Sequence, residues 1–83
     1  MMMHLDGAPL TPADHIKLAE EILDLGIFWD KDLTGRRGEL YIRTLVEQEA
    51  MPFEVVLRSI RLSYVQDDRY PPPSVILGRP MRR

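Results

Sequence analysis

The chain has no cysteine, only two lysines and few aromatic residues. Without cysteine there is no disulfide and no thiolate metal site, a pattern compatible with the cytoplasm, where the chain is expected to reside. Long apolar runs are missing as well, and none approaches the roughly 18 residues that a membrane-spanning helix requires. The opening Met1-Met2-Met3-His4-Leu5-Asp6-Gly7 lacks the charged start and apolar core of a signal peptide, so no membrane partner is expected. What is present is 45% apolar and 29% charged, enough for one small core beneath a charged surface. Eighty-three residues make a single domain, and a chain of that size buries only about 60% of the surface it exposes when unfolded.

The scarcity of lysine shapes the charge pattern. Up to Thr34, seven acidic residues stand against Lys17 and Lys31, a balance of −5; from Gly35 onward, nine arginines stand against six acids, a balance of +3. The basic half therefore uses arginine alone. Its planar fork pairs with carboxylate or phosphate, which leaves an acidic protein surface and a nucleic acid backbone both open as partners.

The residues that carry chemistry are sparse and badly spaced for it. His4 and His15 have no HxxxH or HExxH partner, so no metal is expected. Gly35-Arg36-Arg37-Gly38 has two glycines but neither a preceding strand nor the lysine of a phosphate loop, and no cofactor is expected. Glu20-Glu21 and Asp67-Asp68 are adjacent pairs, which on a helix diverge by about 100° and cannot share a proton. The chain is not expected to be an enzyme.

Periodicity predicts an all-α fold: a small bundle of three main helices at about 12–25, 35–49 and 52–66, with an extended proline-rich C-terminal arm and one short final helical turn. Residues 1–10 have no period and read as a flexible N-terminus. Residues 11–78 form a single helical domain, and 79–83 a flexible basic tail. Thr11-Pro12-Ala13-Asp14 starts the first helix with a cap, a proline at the first position and an acid near the positive end of the dipole. Gly26 is placed to stop it. Ile27-Phe28-Trp29 then falls in a connection, as a buried anchor or as an exposed hot spot. Asp32 or Thr34 caps the second helix, whose Leu40, Tyr41, Ile42, Leu45 and Val46 make a broad apolar surface. Pro52 opens the third, where Phe53, Val56, Leu57, Ile60 and Tyr64 form one stripe and leave Arg58 and Arg61 outside it. Three successive prolines, Pro71 to Pro73, favour a polyproline conformation, after which Ser74 caps a turn through Val75, Ile76 and Leu77.

Thr44 to Arg61 also has the outline of a helix-turn-helix, with 52–66 as recognition helix. Glu49 and Ser59 stand where such motifs place core aliphatics, and Val46 is bulky where a small residue is usual. Phe53 and Glu54 would occupy the base-reading end, with only Arg58 and Arg61 suited to the major groove. A DNA-binding regulator is therefore the second reading.

The order of features resembles the small helical domain of phage helicase loader/inhibitor proteins. An amphipathic first helix leads to an aromatic, a central helix follows, then Met51-Pro52-Phe53-Glu54-Val55-Val56-Leu57, and finally Tyr70-Pro71-Pro72-Pro73-Ser74-Val75-Ile76. The resemblance runs from about His15 to Leu77. It implies a non-enzymatic adaptor whose partner is a replicative helicase or an initiator. Members of that family grip the helicase with a flexible C-terminal extension, and here Arg79 to Arg83 would stand in for it. The expected partner-binding residues are Arg58, Arg61, Arg69, Tyr70, Arg79, Arg82 and Arg83; the alternative for Tyr70 is that it packs over the bundle and seals its end. A chain this small can also extend its core across a homodimer interface.

Overall fold

The computed structural model describes residues 2–47 and 51–81. Four helices account for most of them: α1 Pro12–Trp29, α2 Gly35–Glu47, α3 Phe53–Gln66 and α4 Pro73–Met81. The fold is all-α, as the periodicity predicts. α1 packs on α2 and α3, while α4 packs on α3 and α2, so the helices close a ring around the core. Leu18, Ile22 and Leu25 of α1 meet Tyr41 and Leu45 of α2, the Phe53-Val56-Leu57-Ile60 stripe of α3, and Ile76 and Leu77 of α4. Tyr64, the last residue of the expected stripe, packs against this cluster half-buried.

α1 begins as expected, with a reciprocal cap: the Asp14 amide donates to Thr11 Oγ1 at 3.3 Å and the Thr11 amide to the Asp14 carboxylate at 2.8 Å. Burial opposes the Asp14 charge, but Thr11 and the neighbouring His4 outweigh it and hold the carboxyl below its ordinary range. The far end differs from expectation. Gly26 does not stop the helix, which continues one turn to Trp29 and ends at Asp30 in the left-handed conformation, φ 54°. Gly26 is needed for another reason: the connection folds back on it, and a Cβ there would lie 2.7 Å from the Lys31 carbonyl. Ile27-Phe28-Trp29 is thus the last turn of α1 rather than a connection. Trp29 packs on the core, whereas Ile27 and Phe28 are exposed.

The flexible N-terminus is a second correction. Met2 is buried in the core, its amide donates to the Val46 carbonyl at 3.1 Å, and the Met3 amide donates to the Met51 carbonyl at 2.9 Å. The Met3 carbonyl accepts the Phe53 amide, one of the orphan donors at the start of α3. An aperiodic segment lacks helical structure, but it still packs when it supplies an apolar side chain and backbone partners. Pro52 caps α3 rather than opening it, its carbonyl accepting from the Val55 and Val56 amides at 3.0 and 3.2 Å. The expected end of the second helix at residue 49 lies outside the described residues, within which α2 runs to Glu47.

The C-terminal arm is the third correction. The non-helical stretch is confined to residues 67–72, and α4 is nine residues long rather than one short turn. Pro73 fits its first turn, where no amide is needed, and the Pro72 carbonyl accepts from the Val75 amide at 3.0 Å. Pro80 lies inside the helix and has no N–H for the Ile76 carbonyl four residues back. Ser59 of α3 supplies the missing donor, its Oγ giving a hydrogen bond to that carbonyl at 2.7 Å. Burial of Ile76 and Leu77 secures the helix.

Candidate protein-docking surface

α3 points Val56, Ser59, Ile60 and Ser63 inward, which turns Val55, Arg58, Leu62 and Val65 outward at i, i+3, i+7 and i+10, Val55 and Leu62 half-buried and Arg58 and Val65 exposed. Arg58 is exposed and has no acidic partner among the described residues. Val65 is 80% exposed. Beside this stripe, a groove of about 250 Å³ runs between α3 and α4, lined by Val55, Arg58, Ser59, Leu62, Arg79 and Pro80.

The seven expected partner-binding residues do not converge on one surface. Arg61 turns toward α1 and donates to Glu21 at 2.8 Å, a hydrogen bond that raises its pKa further and ties α1 to α3. Arg69 is exposed beside Asp68, 3.6 Å away. Arg79 lies within α4 rather than in a flexible tail, and its side chain is only 13% exposed. It donates to the Ser59 carbonyl, to Ser59 Oγ at 3.0 Å and to the Asp67 carboxylate at 2.5 Å. Its charge is therefore committed to holding α4 on α3. Arg82 and Arg83 lie outside the described residues.

Tyr70 belongs to a separate groove of about 410 Å³, which it lines with Lys31, Arg37, Leu40 and Tyr41 among others. The Lys31 ammonium lies 5.8 Å from the Tyr70 ring centroid, within cation–π range. Beneath it, Tyr41 donates its hydroxyl to the Pro71 carbonyl at 2.7 Å. Burial pushes the Tyr41 phenol far above its ordinary range, with the nearby Tyr70 adding to the effect. Tyr70 therefore seals the bundle, half-buried, and also borders an open groove.

Ser59 and Asp67 are absent from the expected partner-binding set, yet they hold Arg79. The register held a signal for Ser59, which shares the inward face with Val56, Ile60 and Ser63, so a buried hydroxyl there must find a partner. Asp67 is an acid at a helix C-terminus, where the dipole disfavours it, and its guanidinium partner comes from another helix.

The helix-turn-helix outline finds little geometric support. Among the described residues α2 packs on α1 and α4 but not on α3. The end of α3 that would enter a DNA groove is covered, with Phe53 buried and its amide bonded to Met3. Among the described residues, no three His, Asp or Glu side chains cluster as a metal would require, and no helix is long and apolar enough to cross a membrane. No family model, no curated protein and no solved structure matches the chain.

Proposed function

We propose that this chain is a non-enzymatic adaptor that docks a partner protein on the outward face of α3. One observation carries the reading: an unpaired arginine, Arg58, stands on an apolar stripe with exposed Val65, next to an open groove. Such a surface suits an amphipathic partner helix whose aliphatic side chains lie over Leu62 and Val65 and whose carboxylates reach Arg58 and Arg69. In this reading α1 to α3 form the bundle. The proline segment and α4 act as the clamp that sets the width of the groove. The phage helicase loader resemblance of Met51 to Leu57 and Tyr70 to Ile76 supports a replicative helicase or its initiator as the partner.

The test is binding of the purified chain to a bacterial replicative helicase and to a phage initiator, with duplex and single-stranded DNA run alongside. Arg58→Glu should weaken protein binding about tenfold or more, equivalent to about 1.4 kcal/mol, while leaving the thermal midpoint unchanged. Equal binding by wild type and variant removes this face from the reading. Salt-sensitive DNA binding with no protein partner replaces the adaptor with a nucleic-acid binder.

A further inference from the structure

We propose that the chain pairs with a second copy of itself, the outward stripe of α1 in each copy lying on the outward face of α3 in the other. The inference rests on the α3 face being a docking surface, and it names an occupant that the chain itself supplies.

α1 has two apolar stripes where a surface helix needs one. Leu18, Ile22 and Leu25 face the core. Ile16, Leu23 and Ile27 face solvent, 62%, 42% and 79% exposed, and nothing in the chain covers them among the described residues. With Glu20 they follow i, i+4, i+7 and i+11, so the second stripe is continuous for about 16 Å. The Val55–Val65 stripe of α3 has nearly the same length, about 15 Å.

The charges favour crossed pairing. The α1 stripe carries Glu20 and Asp24, while Lys17 at its border lies 3.7 Å from Glu21. The α3 face carries Arg58, with Glu54 at its start, Arg61 bonded to Glu21, and Arg69 beyond its end 3.6 Å from Asp68. Setting α1 against α1 would bring Glu20 and Asp24 onto their own copies, and α3 against α3 would bring Arg58 onto Arg58. Only α1 on α3 places acid over arginine and aliphatic over aliphatic, so the like pairings are selected against.

The geometry permits a closed dimer. α1 and α3 are neighbours, joined at the Glu21–Arg61 bond and at the Phe28–Tyr64 ring contact, whose centroids are 4.6 Å apart. A twofold arrangement that sets the outward α1 stripe of one copy on the outward α3 stripe of the other completes both contacts at once. The 250 Å³ groove between α3 and α4, beside Val55 and Leu62, is open to receive an aliphatic side chain of the partner copy. Self-pairing covers the face proposed for the partner, so the two events compete.

Sedimentation equilibrium over a concentration series, up to about 1 mM, tests this on the full chain. Wild type should move from the 9.7 kDa monomer toward twice that mass. Arg58→Glu and the double variant Glu20→Lys/Asp24→Lys should each weaken association about tenfold or more, with unchanged melting curves. An equimolar mixture of the two variants should associate again, because each restores the charge match that the other lost. A single monomeric wild-type species at every concentration overturns the proposal, as does association that ignores the substitutions or a mixture that stays monomeric. Helicase binding is measured in parallel. Loss of that binding in Arg58→Glu with self-association unchanged rejects the self-pairing and keeps the adaptor reading. The reverse pattern rejects the adaptor reading alone.

Discussion

Tyr41 and Arg79 show how much a single side chain's role depends on its surroundings. Tyr41 is one of five apolar residues in the broad α2 surface, and its hydroxyl satisfies the Pro71 carbonyl at 2.7 Å inside the fold. Tyr41→Phe leaves that buried acceptor without a donor and should cost about 1–3 kcal/mol, lowering the thermal midpoint by about 4 °C or more. Because burial raises the phenol's pKa, its contribution is complete below about pH 10 and declines as pH rises beyond that. Urea unfolding at neutral and alkaline pH should show a steeper alkaline loss for wild type than for the phenylalanine variant; equal slopes would remove the buried phenol as the cause. Arg58 and Arg79 are the same residue type in the same basic half of the chain. One faces solvent without a partner, and the other is enclosed by Ser59 and Asp67. Composition could identify both as arginines free to pair, but only the position of α4 distinguishes them.

At the scale of elements, starts and faces were more legible than ends. The Thr11 cap, the Pro12 start and the inward stripe of α3 follow from spacing and local hydrogen bonding, which depend on residues only a few positions apart. The end of α1 and the existence of α4 depend on distant contacts. Glycine is common at helix ends, yet Gly26 serves the close return of the connection. Gly38 is similar: an added Cβ would overlap the Leu33 carbonyl. Gly38→Ala should therefore destabilise by about 1–3 kcal/mol, despite alanine's helix preference of about 1 kcal/mol. Gly78 in α4 meets nothing within 4 Å, so Gly78→Ala should stabilise by about 0.5–1 kcal/mol. Opposite signs in parallel chemical denaturation support these two environments, and a shared sign would not. The prolines hid α4, since Pro71 to Pro73 read as extended and Pro80 as a stop. The helix tolerates Pro80 because Ser59 donates to the carbonyl that proline leaves unpaired.

The whole molecule is a slab whose Cα extents are 33 × 32 × 16 Å, a thickness that two helix layers packed about 8–10 Å apart fill. No helix in such a slab is enclosed on every side, and so α1 keeps an outward apolar stripe while its inner face fills the core. Removing residues 73–83 should cost the cooperative fold, since it takes Ile76 and Leu77 from the core and leaves Asp67 without Arg79. The expected sign is loss of near-ultraviolet dichroism and of a sigmoidal melt; a retained sharp transition would make α4 an accessory. The amino-acid sequence by itself determined the all-α class, the start of α1, the core stripe of α3 and the exposure of Arg58, because these follow from helical period and local capping. Only the tertiary structure decided that the N-terminal segment packs, that the chain from Pro73 onward forms a nine-residue helix, and that the basic residues divide between internal bonds and an open face. Those outcomes depend on which buried groups find partners far along the chain, and residue spacing does not encode that pairing.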